Sequence, residues 1–328
     1  LAREKVAKAI SCKAKEIYFT SCGSESDNLA IKGICYKNRE KKNHIITTKI
    51  EHPAVLHTCE SLEKQGVEVT YLNVDEKGCI SLYELENAIK ENTILISIMS
   101  ANNEIGTIEP IKEIGKIAKA HNVLFHTDSV QAIGNLKINV EEMNIDLLSM
   151  SAHKFYGPKG VGALYVREGI EFEKLQDGGH QERDKRAGTE NVAGIVGLGE
   201  AIELSYKNYE EYNEKLKNLR DYYIEQVEKR IPNVSLNGDR INRLPGNANI
   251  SFEGVISEEL LYKLDEKGIC ASGGSACSTG NPHPSHVLMA IGTNSKMAKG
   301  ALRVTFGMEN TKEDVDYLVE NLSQIVSE

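Results

Sequence analysis

Ile145-Asp146-Leu147-Leu148-Ser149-Met150-Ser151-Ala152-His153-Lys154 is the stretch that decides the architecture. The turn Gly157-Pro158-Lys159-Gly160 follows it, and then a second apolar run, Val161 to Val166. Two short apolar runs bounded by turn residues read as neighbouring β-strands. Their connection is too short for a parallel crossover, so one strand of the pair is antiparallel. Lys154 sits where the first run ends. A lysine held partly out of water loses some preference for its charged form and becomes a usable amine nucleophile. A strand-end lysine that simply reaches solvent is the alternative.

Working outward, further strand patterns fall at residues 17–20, 44–48, 68–74, 94–100 and 123–128. Helical patterns at 53–65, 82–90 and 111–121 separate them. Strand–helix alternation of this kind predicts an α/β fold, a mainly parallel seven-stranded sheet with helices on both faces. Beyond residue 190 the texture changes. A long charged helix (206–230) ends near Pro232, and strands at 248–252 and 302–306 alternate with helices at 257–267, 284–291 and 312–325. The predicted division is a large domain, 1–200, and a smaller α+β domain, 201–328.

The bulk properties exclude several classes. A net charge of −9 with no basic stripe argues against a general nucleic-acid binder. No apolar run approaches the ~20 residues of a membrane span. Seven cysteines at 12, 22, 35, 59, 79, 270 and 277 show neither metal spacing nor a disulfide framework, so a reducing, cytoplasmic setting and no metal are expected.

Ligands of open α/β sheets gather at the carboxyl ends of the strands, and polar groups collect at those ends here. The first strand enters Ser21-Cys22-Gly23-Ser24-Glu25-Ser26 and a helix. A small-residue loop at a helix start suits a phosphate, although Ser24 could equally be a plain cap. Strand 123–128 ends in Asp128, with Gln131 shortly after. Asp128 either caps the next helix or holds the protonated ring nitrogen of pyridoxal phosphate (PLP), the commonest partner of a nucleophilic lysine, with which it forms a Schiff base. Asn102-Asn103-Glu104-Ile105-Gly106 could orient a substrate or a ring hydroxyl, and His52, in Glu51-His52-Pro53, could act as acid/base or stack on a planar cofactor. Arg303 lies inside an apolar strand and calls for a carboxylate, internal or from a substrate. Cys277 lies in Ser272-Gly273-Gly274-Ser275-Ala276-Cys277-Ser278-Thr279-Gly280, whose composition is that of a mobile loop. At its unperturbed pKa of ~8.5 few of its molecules are thiolate at neutral pH, so a nucleophilic role needs a local base or charge.

Taken in this order, these segments resemble the NifS/IscS-type cysteine desulfurases, PLP enzymes of the aminotransferase class-V group with the fold-type I architecture. Arg186-Ala187-Gly188-Thr189-Glu190-Asn191 completes the set, which spans residues 17 to 307. The resemblance implies that Lys154 binds the cofactor covalently and that Asp128 holds the ring nitrogen. Gln131 would meet the ring hydroxyl, and His52 would stack on the ring and move protons. Gly23, Ser24, Ser151 and His153 would hold the phosphate, and Thr189 would reach the partner subunit's phosphate in a homodimer. Asn103 would lie in reach of the cofactor and, with Arg303, bind the substrate carboxylate. Cys277 would take the sulfur of L-cysteine as a persulfide, leaving L-alanine, for delivery to an iron–sulfur scaffold or a thiolation enzyme.

The family pattern also carries an N-terminal segment with an Asn-Ala-Ala-Thr motif that is not in this sequence, and a slightly longer C-terminus. It usually shows glycine where His180 and Asp184 stand. Two other readings share most of these residues. One is a selenocysteine lyase-like or other class-V PLP enzyme, which turnover of cysteine against selenocysteine would separate. The other is a shortened, inactive relative acting as a binding subunit, which would be colourless with added PLP.

Overall fold

The computed structural model describes residues 1–39, 43–274 and 284–327. In chain order its first part runs α1 (Ala2–Ile10), β1 (Ile17–Thr20), α2 (Gly23–Asn38), β2 (His44–Thr48), α3 (Pro53–Glu63) and β3 (Glu68–Leu72). There follow α4 (Leu82–Ala88), β4 (Thr93–Ser97), α5 (Ile111–Ala120), β5 (Leu124–Asp128), β6 (Leu147–Ser151) and β7 (Gly162–Val166). The kinked turn α6 (Gln181–Asp184) and helix α7 (Val192–Lys207) complete it.

The seven strands form one sheet in the order β1-β7-β6-β5-β4-β2-β3. The pairs among β2 to β6 are parallel, and β7 is antiparallel to both β6 and β1. The antiparallel member expected from the tight 157–160 turn is therefore β7. A strand flanked on both sides by antiparallel neighbours returns β1 to the direction of β6. The carboxyl ends of β1, β2, β4, β5 and β6 consequently open at one edge of the sheet.

Strands β2, β4, β6 and β7 are buried along their full length, as strands covered on both faces must be. Helix α2 crosses the sheet over β4 to β7. Its Leu29, Ala30, Ile31 and Ile34 join Ile45, Leu95, Leu147 and Leu164 in one core. Each of these leucines and isoleucines contributes about 1.5–3 kcal/mol on burial.

By internal contacts the chain separates into two units. The first comprises Leu1–Asn73, Ile80–Ser100 and Glu109–Tyr209; the second comprises Val74–Cys79, Ala101–Ile108 and Glu210–Glu328. The second unit holds most of α8 (Tyr209–Arg230), then β8 (Val234–Leu236), β9 (Asn247–Phe252), α9 (Ser257–Asp265), α10 (His286–Ala290), α11 (Ser295–Lys299), β10 (Ala301–Thr305) and α12 (Lys312–Ser327). Its three-stranded sheet, β10-β9-β8, is antiparallel throughout and packs a core of Tyr223, Phe252, Leu302 and Phe306.

The helix expected at 206–230 is α8, which begins at Tyr209; a helix not expected, α7, precedes it and ends at Asn208 (φ −120°, ψ 37°). The glycine-rich start of α7, Val192-Ala193-Gly194-Ile195-Val196-Gly197, hides it from a propensity reading. No helix among the described residues is long and apolar enough to cross a membrane.

Candidate functional site

The open edge of the first unit's sheet gathers those of the groups singled out above that belong to this unit. β1 ends at Thr20 and α2 begins at Gly23, with Cys22 as N-cap and no side-chain cap bond. Ser24 is exposed and already inside the helix, so it does not act as the cap. Gly23 is buried, and a Cβ there would lie 2.6 Å from Val130 Cγ2 and 3.6 Å from Ser151 Cβ. The first turn of α2, with its N–H groups and the positive end of the dipole, therefore lies beside the end of β6. Glu25 secures this loop. Its Oε2 accepts from the Ser21 N–H at 2.7 Å, and Arg186 grips both oxygens, Nε to Oε1 at 2.7 Å and Nη2 to Oε2 at 3.2 Å. Burial pushes the Glu25 carboxyl up, but Arg186 and Ser21 prevail and hold it below its ordinary value.

Arg186 also fixes the segment that carries Thr189. Thr189 is exposed, and Asn191 two residues on caps α7 by accepting from the Gly194 N–H at 3.1 Å. Upstream, Glu182, Arg183 and Asp184 all adopt left-handed conformations, with φ of 45°, 58° and 61°. Buried Glu182 is held by both guanidinium nitrogens of Arg3 at 2.7 Å and by the Phe19 N–H at 3.0 Å. Asp184 meets Lys174 at 3.0 Å and His180 at 3.2 Å, so the two departures from the glycine pattern touch each other.

At the end of β6, Ser151 is buried, and a 3-10 turn, Ala152–Phe155, presents His153 and Lys154 to solvent. The partial desolvation expected of Lys154 is not met. The 3-10 turn at the sheet edge leaves its side chain exposed, and its charge still acts on Asp128. Burial, then the charges of Lys154 and Lys159, lower the His153 pKa.

Asp128 ends β5 with 6 % of its surface exposed. Its Oδ1 accepts from the Val130 N–H at 2.9 Å, so it shapes the following turn and also faces the cluster. Burial raises its pKa, while the Val130 N–H and the charges of His52 and Lys154 oppose the rise. His52, half-buried, caps α3 through Nδ1, which accepts from the Ala54 N–H at 3.1 Å. A neutral His52 therefore carries its proton on Nε2. One ligand atom each of Asp27, His52 and Asp128 lies within 4.8 Å of the others. Gln131 is half-buried in the turn after β5.

Asp27 is a residue that the sequence reading passed over as part of a helix start. A carboxylate on the apolar stripe with Ala30, Ile31 and Ile34 was the available signal. Glu51 was likewise quoted only as a neighbour of His52. It is buried, with Thr48 Oγ1 and the Met99 N–H donating to its Oε1 at 2.8 and 3.0 Å.

In the second unit, Arg303 lies in β10 opposite Asn249 of β9. Its Nη1 donates to the Asn103 carbonyl at 2.7 Å, placing these two residues together. Asn102 Oδ1 accepts from the N–H groups of Glu104 and Ile105 at 2.8 and 3.0 Å and folds the loop. The Arg303 backbone pairs with Ser272, and Glu104 Oε2 accepts from Ser285 Oγ at 2.5 Å. Ser272 and Ser285 flank the segment containing Cys277, and Cys277 itself lies outside the described residues.

The first unit's groups fit PLP. They comprise a buried carboxylate for the ring nitrogen, a capped histidine beside it, an amine at the sheet edge, and a helix start where only glycine lets the backbone approach. The sequence matches the aminotransferase class-V family over residues 1–318. It is 59% identical to the cysteine desulfurase IscS of Clostridium botulinum (strain Hall), covering 100% of this chain and 83% of that protein. It is 57% identical to the cysteine desulfurase IscS of Methanosarcina thermophila, over 99% of this chain and 80% of that one. Among solved structures, a NifS-like protein superposes with a TM-score of 0.93 at 38% identity, covering 99% of this chain and 86% of the other. SspA in complex with cysteine gives 0.80 at 41% identity, over 93% and 85%.

Proposed function

The chain belongs to the aminotransferase class-V family, as a PLP-dependent cysteine desulfurase, and from that premise we propose how its residues divide the work of turning L-cysteine into L-alanine and enzyme-bound sulfur. The observation that carries this division is the convergence of Asp128, His52 and the Gly23 helix start at one sheet edge, with Lys154 near enough for its charge to act on Asp128. Bound there, PLP supplies an electron sink for the amino acid's Cα.

The residues of the chain do the rest. Lys154 provides the amine that anchors the cofactor and moves protons at Cα. Asp128 faces the ring nitrogen, Gln131 the ring hydroxyl, and Gly23, Ser24, Ser151 and His153 the phosphate. His52 stacks on the ring and offers its Nε2 proton. Asn103 and Arg303 take the substrate carboxylate. Cys277 attacks the substrate sulfur as a thiolate. The carbon–sulfur bond breaks, a sulfur–sulfur bond forms on Cys277, and Cα–Cβ leaves as alanine after protonation. On this reading the first unit is the PLP-binding domain and the second carries the sulfur-accepting loop, whose cargo goes to an iron–sulfur scaffold or a thiolation enzyme in the cytoplasm.

Thr189 reaches the phosphate of a second copy. In support of a homodimer, α7 exposes Val192 and Val196 at 66% and 60%, two apolar neighbours at i and i+4 close in sequence to Thr189. Sedimentation at micromolar concentration is expected to give twice the chain mass; a monomer removes this arrangement.

The direct test is an absorbance spectrum with PLP together with cysteine-dependent production of alanine and sulfide. A colourless protein that binds no PLP overturns the assignment of the site. Arg303→Lys is expected to raise KM for cysteine about tenfold or more and to leave the cofactor band intact, because lysine replaces a forked donor by a point charge. An unchanged KM would remove Arg303 from the carboxylate site.

A further inference from the structure

Asp27 has no task in the scheme above, yet a carboxyl group with 1 % exposure needs one. Its Oδ1 meets no hydrogen-bond partner among the described residues. Its ligand atom and that of Asp128 lie within 4.8 Å, and two buried carboxylates that close do not both ionise.

The surroundings decide which of the two keeps a proton. Asp128 receives the Val130 N–H, and the positive charge of Lys154 favours its ionised form. Asp27 faces Asp128 and His126 of β5, His52 before α3, Glu51 after β2, Cys22 before α2 and Ser149 of β6; the Ser149 hydroxyl favours its charged form, while burial and the carboxyls of Asp128 and Glu51 oppose it more strongly. His126 Nε2 lies 3.7 Å from Asp27 Oδ1, a distance that suggests an ion pair. The pair is not ionic. His126 is fully buried between the Ser97 and Ser149 hydroxyls, and burial holds its pKa down at about 3.

We propose that Asp27 is a positioning residue that stays a neutral carboxylic acid in the working enzyme, so that Asp128 is the single negative charge facing the cofactor's ring nitrogen. The proposal rests on the reading of Asp128 given above. In its support, burial first and the Asp128 charge second move the Asp27 carboxyl well above its ordinary range. The consequence is a thermodynamic signature. An unfolded aspartate releases its proton near pH ~4, whereas native Asp27 retains it. Native wild-type enzyme therefore binds one more proton than the unfolded chain above that pH, and this group's contribution to stability falls as pH rises until the native carboxyl titrates.

The experiment compares denaturant unfolding of the PLP-loaded wild type and Asp27→Asn from pH 5 to pH 8. Asparagine keeps the shape and cannot titrate. The ratio of the two unfolding constants is expected to grow in favour of Asp27→Asn by about tenfold per pH unit. A ratio independent of pH would mean that the pair keeps no proton and overturn the proposal, and a slope of the same size in Asp128→Asn would place the proton on Asp128 and overturn it as well. The infrared spectrum of wild-type holoenzyme at pH 8 is the second measurement, needed if the variant does not fold. A protonated-carboxyl carbonyl stretch is expected, and its absence is equally fatal. Asp128→Asn in the same series separates the two readings. If it binds PLP and keeps the wild-type visible band, the role of Asp128 fails, whatever the slope for Asp27 shows.

Discussion

Lys154→Ala abolishes the visible band of the PLP-loaded protein and lowers cysteine turnover by on the order of a thousandfold. Two losses combine in it. The amine that anchors the cofactor disappears, and so does the proton carrier nearest Cα, a function that alone contributes ~10²–10⁴-fold. Folding is expected to survive. Lys154 is exposed on a 3-10 turn whose backbone is closed by Gly157 N–H to Ala152 carbonyl at 2.9 Å. Removal of an exposed side chain costs about 0.5 kcal/mol or less. Unfolding of the cofactor-free variant should therefore match the wild type, which assigns the lost activity to chemistry. A retained band, or turnover near wild type, would place the reactive amine elsewhere.

Cys277→Ala separates sulfur transfer from cofactor binding. Sulfide release and persulfide formation should fall at least about a hundredfold, as happens when a nucleophile is removed, while the visible band and its response to added cysteine remain. Mass spectrometry of the wild type after brief exposure to cysteine should find one additional sulfur on the peptide containing Cys277. A plain transaminase needs no thiol, so full activity in Cys277→Ala would sink the sulfur mechanism and leave the PLP site standing. The two variants thus fail in different ways. One loses the colour, and the other keeps the colour and loses the sulfur.

The strands were legible because each is short, apolar and followed by a turn signal, and the antiparallel β7 followed from the shortness of the 157–160 turn. The ends of β1, β5 and β6 pointed to the site for the same reason. Helix α7 was hidden because Gly194, Gly197 and Gly199 weaken the helical pattern where it begins. Asp27 was hidden for a different cause. Its neighbour Asp128 lies a hundred residues away in sequence, and only the crossing of α2 over the sheet brings the two carboxyls together. The exposure of Lys154 was also out of reach, since an apolar run does not say which way the turn that ends it will aim.

The left-handed turn at Glu182, Arg183 and Asp184 ties the fates of distant positions together. Residues other than glycine in that conformation cost about 1–3 kcal/mol each and persist only where their surroundings hold them. Here the holders are Arg3, Phe19, Lys174 and His180, scattered over the whole first unit. Asp184 is thus helped in that conformation by Lys174 and His180, each through an exposed pair worth about 1 kcal/mol or less. In the language of epistasis, a drift of either toward an apolar residue makes glycine at 184 the better choice, although nothing at 184 has changed. A pairing of this kind leaves its trace in lineages as correlated replacement, and Thr189, five residues downstream, inherits the constraint without taking part in it.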